Sequence, residues 1–214
     1  GEFAPAAFAN SLGAEAMVLT DLIARHTPGI EMFTLDTGRL HEETYRLMQK
    51  VADQYDHPLR VYFPQPEAVQ QYATGHGVNA FYQSIELRKT CCQVRKVEPL
   101  GRALKGKAAW LTGLRREQAV TRHDLPEREF DAAHGIEKFS PLVAWSEAEV
   151  WAYIHAYGVP YNELHEHGFP SIGCAPCTRA LVADEDVRAG RWWWEDPQSK
   201  ECGLHPAKRD KAAA

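Results

Sequence analysis

No run of apolar residues in this chain approaches the ~20 that a membrane-spanning helix needs, and its start does not read as a secretory leader. Basic residues are in the minority: 24 Lys and Arg stand against 29 Asp and Glu, a net charge of -5. That balance argues against a general nucleic-acid binder. Only five cysteines occur among 214 residues, unevenly placed, which excludes a secreted disulfide framework. A reducing cytoplasm and a metal or redox role fit them better. There are no internal repeats and no low-complexity tract.

What is present suits a soluble α/β protein with a substantial core. The opening "GEF" and closing "AAA" read as cloning remnants (1–3 and 212–214). The remaining 4–211 is expected to form one domain, with 170–211 as a loop-rich C-terminal segment. Strands are predicted at "PAAFAN", "IEMFTLD", "LRVYFP", "AAWLTG" and "IEKFSPLV". Between them lie helical patterns: an amphipathic one from Ser11, another after Thr37, a short one opened by Pro66, and a long one over 80–104. "SEAEVWAYIHAYG" carries a capping box, with Ser146 at the cap and Glu149 three residues on. Strands alternating with helices predict a doubly wound, mainly parallel sheet. Ligands bind such sheets beyond the carboxyl ends of their strands. The turns at Ser11–Glu15, Asp36–Arg39 and Thr112–Arg116 all fall there.

Several short motifs carry chemistry. "SLGAE" offers backbone N–H groups and a helix N-terminus to an anion, although it has neither the spacing nor the Lys of a Walker A loop; a plain turn is the other reading. "LDTGR" ends the second strand with an acid that could meet a ribose hydroxyl or simply shape a turn. "HEH" at 165–167 reads as a solvated loop, because no further ligand is suitably spaced for a metal pair. "RWWWEDP" reads as a surface that docks the C-terminal segment. Arg179, Arg188, Arg191, Lys200, Lys208 and Arg209 gather late in the chain, as a solvated face or as a local anion site.

Four of the cysteines form two close pairs, Cys91-Cys92 and Cys174-x-x-Cys177. Four soft thiolates suit zinc or an iron–sulfur cluster, and structural thiols are a third reading. Adjacent side chains on a helix diverge by ~100°, so Cys91 and Cys92 reach two corners of a [4Fe-4S] cube more readily than one tetrahedral ion. Lys96, about one turn beyond Cys92, would lie near the cluster's charge. The fifth, Cys202, stands in the polar tail "SKECGLH" beside Lys200 and His205. Nearby cations would depress a thiol pKa there and make a nucleophile; an incidental tail thiol is the alternative.

"SLGAE", "TLDTGR", "TCCQVRKVEPL", "WLTGLRREQ", "PSIGCAPCTRA", "RAGRWWWE" and "KECGLH", in that order, resemble the thioredoxin-dependent assimilatory sulfonucleotide reductases, from Ser11 to His205. The resemblance implies an adenine nucleotide alpha hydrolase-like fold and one [4Fe-4S] cluster on Cys91, Cys92, Cys174 and Cys177. The cysteine quartet implies adenosine 5'-phosphosulfate (APS) as substrate, rather than its 3'-phosphorylated form (PAPS), and sulfite and AMP as products. Cys202 matches the family's nucleophile. Lys96, Arg188, Arg191 and His205 match residues that line the phosphosulfate; Ser11, Leu35, Gly113 and Arg122 lie in stretches that hold the nucleotide. Thioredoxin is the implied protein partner, with no nucleic acid or membrane involved and with room for a homo-oligomer. Two departures stand out: Ala16 occupies a place where the family usually has an acid, and the helical segment expected before the first strand is absent from this sequence. A PAPS reductase that holds a cluster, and a zinc-stabilised nucleotide-binding module without turnover, are the competing readings.

Overall fold

The computed structural model describes residues 2–118 and 122–196. Six strands form one sheet in the order β3-β2-β1-β4-β6-β5. They are β1 (Ala6–Ala9), β2 (Glu31–Leu35), β3 (Leu59–Tyr62), β4 (Ala109–Leu111), β5 (Arg128–Asp131) and β6 (Ile136–Phe139). All adjacent pairs are parallel except β5 with β6. The expected doubly wound α/β fold is therefore what the chain adopts. All five anticipated strands are present. The edge strand β5 was not anticipated, because its one large apolar residue, Phe130, is 63% exposed and leaves no buried alternation to detect. The last anticipated strand is shorter than its apolar run, ending at Phe139 before turns around Pro141.

Successive residues of the inner strands point to opposite faces. Phe8 and Met32 join Met17, Val18, Leu47, Val51, Val150 and Ile154 on one side, under α1 (Ala14–His26), α2 (Glu42–Gln54) and α6 (Glu147–Tyr157). Ala7, Phe33 and Trp110 pack on the other side against Leu100 and Leu104 of α5 (Glu98–Leu104). The expected amphipathic α1 is instead buried at eight of its 13 residues, including Thr20 and Asp21, because α6 covers the face that would otherwise meet water.

Asp21 accepts hydrogen bonds from Tyr55 Oη (3.0 Å) and Tyr153 Oη (2.8 Å) and pairs with Arg25 Nε at 2.8 Å. One fully buried carboxylate thus ties α1 to α6 and to the end of α2. Burial, followed by the hydrogen bond to Asp21, pushes the Tyr153 hydroxyl up to about 12. Asp21→Ala strands both hydroxyls, and we expect a loss of about 3 kcal/mol, measurable by urea unfolding.

The short helix expected to open at Pro66 is α3 (Pro66–His76), and the long helical pattern over 80–104 resolves into a 3₁₀ turn at Ala80–Tyr82, α4 (Ile85–Cys92), a π-helical turn at Gln93–Val97, and α5. Ser84 caps α4, its Oγ accepting from Leu87 N. The capping box of α6 forms as anticipated, with both Ser146 and Glu149 engaged. No helix among the described residues is long and apolar enough to cross a membrane.

Candidate functional site

Strand order reverses between β1 and β4, and a cavity of about 620 Å³ opens beyond their carboxyl ends. Its floor is the turn from β1 into α1. Asn10 Oδ1 accepts from Leu12 N (2.8 Å), while Asn10 Nδ2 donates to Thr20 Oγ1 (2.8 Å). Leu12 is thereby held at φ 59, a conformation that L residues seldom adopt. The N-terminus of α1 has no side-chain cap, so its first-turn amides are left for an anion. Opposite, Gly113 packs so closely on α1 that a Cβ would lie 3.3 Å from Ala16 N. Arg115, 5% exposed, joins the two turns by donating to Glu15 Oε1 (2.8 Å) and the Trp145 carbonyl (3.1 Å). Ala16, the departure from the family pattern, is buried beneath Gly113 and does not line the cavity, whereas its neighbour Glu15 does.

The structure brings Ser11, Leu35, Lys96, Gly113, Arg122, Arg188 and Arg191 to the wall of this single cavity. Arg122 Nη1 donates to Gln118 Oε1 at 2.6 Å. Cys202 and His205 lie outside the described residues. Asp36 does not line the cavity: its Oδ1 accepts from Gly38 N (2.7 Å) and Tyr45 Oη (2.9 Å), so of its two readings it takes the turn-forming one.

The solvated-loop reading of "HEH" fails at His165. His165 sits on a 3₁₀ turn (Glu163–His167), edge-on to Trp151 at 5.3 Å between ring centroids, and lines the cavity rather than a solvated loop. Its neighbours Glu166 and His167 are exposed, so "HEH" held no signal of burial. Burial holds the His165 imidazole below its ordinary value of 6.5, against a weaker opposing pull from Glu15; the same cause lowers His41. Both rings are neutral when folded but gain protons more readily when unfolded. Stability should therefore be full above about pH 6.5 and decline as pH falls below it. Thermal melts between pH 8 and 5 test this, and His165→Gln should flatten the slope.

A second, smaller cavity adjoins the first, lined by Cys91, Cys92, Cys174 and Cys177 with Phe81, Pro176 and Trp192. Cys91 and Cys92 end α4; Cys174 and Cys177 bracket a 3₁₀ turn anchored by Ala175 N donating to the Arg39 carbonyl (2.8 Å). All four thiols are free of disulfides. No three His, Cys, Asp or Glu side chains among the described residues converge on one metal ion. Arg39, Arg88, Arg95 and Lys96 stand around the thiols. Burial alone would push the Cys174 thiol up, but Lys96, the Thr37 hydroxyl (3.2 Å), Arg191 and Arg95 together bring it below its ordinary value. Cys177 goes the other way, to about 12, through burial and then the nearby Cys174 charge.

Trp192, 1% exposed, is the partition between the cavities; among the described residues only it and Lys96 are shared by both walls. Arg88 and Arg191 flank its ring, each with Cζ 4.7 Å from the centroid. Its Nε1–H is buried with no hydrogen-bond partner among the described residues. An orphaned donor beside four thiols is the complement of sulfur acceptors, and the donor set, the apolar wall and the surrounding cations fit a thiolate-ligated iron–sulfur cluster. Trp194 packs on Phe81 and Tyr82, so the tryptophan run docks the C-terminal segment as expected.

The sequence profile of the phosphoadenosine phosphosulfate reductase domain matches residues 5–180. The chain belongs to that family. Among its reductase relatives, the adenosine 5'-phosphosulfate reductase of Allochromatium vinosum is 59% identical over 198 residues, covering 92% of this chain and 77% of the relative. The enzyme of that name from Burkholderia cepacia is 53% identical over 214 residues, covering 97% and 86%. In three dimensions, the phosphoadenylyl-sulfate (PAPS) reductase of Candida auris, solved as a phosphate complex, overlays with a TM-score of 0.71 at 34% identity and 84% coverage of both chains. An FMN adenylyltransferase from Candida glabrata overlays with a TM-score of 0.56 at 14% identity, a likeness of fold alone. The reductase family and the sheet architecture anticipated from the seven motifs are thus the ones found.

Proposed function

We propose that this chain reduces adenosine 5'-phosphosulfate to sulfite and AMP with thioredoxin as reductant, in the cytoplasmic assimilation of sulfate into cysteine. The observation that carries the reading is one cavity, at the switch point of the sheet, whose wall holds Lys96, Arg188 and Arg191 and which adjoins a smaller cavity lined by Cys91, Cys92, Cys174 and Cys177. The names of the relatives support APS over its 3'-phosphorylated form.

In the first step the Cys202 thiolate attacks the sulfur of APS. The bond from that sulfur to the bridging phosphate oxygen breaks, AMP leaves with the electron pair, and an S-sulfocysteine remains on Cys202. A thioredoxin thiolate then attacks the Cys202 Sγ, and sulfite departs with the S–S bonding pair. The resulting mixed disulfide is resolved by thioredoxin's second thiol, so thioredoxin supplies both electrons. Lys96, Arg188 and Arg191 neutralise the phosphosulfate and the charge that develops on the leaving phosphate. The same cations depress the pKa of an incoming Cys202, and His205 contributes beside it. Ser11, Leu35, Gly113 and Arg122 hold the nucleoside end.

Cys91, Cys92, Cys174 and Cys177 would hold a [4Fe-4S] cluster, which supplies electrostatic and structural support when bound. Cys91 and Cys92 on α4 and Cys174 and Cys177 around the 3₁₀ turn would hold the two segments together through it, and Lys96 lies in the walls of both cavities. Iron and acid-labile sulfide assays with a visible spectrum of anaerobically purified protein test this assignment, and turnover of APS and PAPS at equal concentration tests the substrate. About four iron per chain with preferred use of APS is expected. Stoichiometric zinc, or faster reduction of PAPS, would overturn the respective part.

A further inference from the structure

Gly173, immediately before Cys174, lines the large cavity but does not need glycine's freedom. Its φ lies outside the left-handed range, unlike those of Gly38 and Gly168 at 69° and 80°. The space around it explains the residue. A Cβ here would sit 2.6 Å from both Cζ and Nη2 of Arg191 and 3.1 Å from its Nε. The guanidinium thus occupies the space that a side chain at 173 would fill; its Cζ lies 4.7 Å from the Trp192 ring centroid and Nη1 donates to the Ile172 carbonyl at 3.2 Å.

We propose that Gly173 is a positioning residue: its missing side chain is the slot that places the Arg191 guanidinium in the cavity wall. The inference rests on the functional reading above, in which Arg191 faces the anionic end of the substrate. A methyl at 173 meets the far end of a flexible side chain, so the guanidinium shifts while the backbone that carries Cys174 stays. Gly190 is the contrasting case. A Cβ there would lie 2.4 Å from the Arg179 carbonyl oxygen, where Arg179 N and the Gly190 carbonyl pair at 3.0 Å. Substitution at 190 would disrupt the pairing of the 177–179 and 190–192 segments, which makes Gly173→Ala the clean variant and Gly190→Ala the destructive one.

The test uses the cluster-loaded full chain. Displacing a substrate-facing group by about 1 Å can cost up to ~100-fold, so Gly173→Ala should lower kcat/KM for APS by about 10- to 100-fold, mostly through KM. Iron content, visible spectrum and melting temperature should match the wild type. In an Arg191→Ala background the same change should produce no further loss, because the group it displaces is gone. Wild-type kcat/KM in Gly173→Ala, an undiminished loss in the Arg191→Ala background, or loss of iron would each overturn the slot. If the wild type itself does not turn over APS, the functional reading fails separately. The slot is then decided by crystal structures of the two proteins: a displaced guanidinium upholds it, an unmoved one overturns it.

Discussion

Cys202→Ser leaves a protein that binds APS and keeps its iron but no longer becomes labelled by sulfur-labelled APS. Turnover should fall by at least about a thousandfold, the scale on which removing a covalent nucleophile acts. A serine hydroxyl brought to the cations of the cavity wall would stay protonated, whereas a thiol brought there would ionise more readily and attack sulfur. The cavity residues are untouched, so AMP affinity and the visible spectrum should be unchanged. Persistent labelling after the substitution would move the nucleophile elsewhere, and Cys91, Cys92, Cys174 and Cys177 would be the remaining thiols to examine.

The second large effect is on stability. Arg88 donates from Nε to Glu195 Oε1 (2.9 Å) and from Nη2 to Oε2 (2.7 Å), and the two side chains are 1% and 3% exposed. Arg88 also lies over the Trp192 ring and hydrogen-bonds Cys92. This buried pair fastens the tryptophan segment to α4. Glu195→Gln leaves the guanidinium buried without its counter-charge, at an expected cost of about 3–5 kcal/mol. For a domain of this size each kcal/mol lowers Tm by ~2–4 °C, so a drop of about 6–20 °C should appear in a melt. Iron should also be lost faster. Arg88→Met combined with Glu195→Leu should cost less than either single change, because no lone charge remains. Single variants that unfold like the wild type would show that other contacts hold the segment.

These expectations draw unequally on sequence and on structure. The parallel sheet was readable from alternating strand and helix patterns, since burial on both faces leaves near-continuous apolar runs. The cysteine pairs and the basic side chains were readable as residue types with a chemistry. β5 was not, because an exposed edge strand needs no apolar alternation. Asp36 was equally open to two roles until Tyr45 and Gly38 were seen to occupy it. His165 gave no sign of burial, because what buries it is Trp151 on α6, a contact that no local pattern encodes.

By itself, then, the sequence determined the reductase family, the sheet that carries the site, and which side chains are candidates for its chemistry. Those properties reside in local periodicity and in motif order along the chain. Only the tertiary structure decided that Trp192 and Lys96 divide two adjoining cavities, that Arg88 is matched by Glu195, and that Gly173 is a space rather than a turn. Each of these joins segments far apart in the chain or depends on which atoms meet after folding, and such contacts are set by packing rather than by spacing.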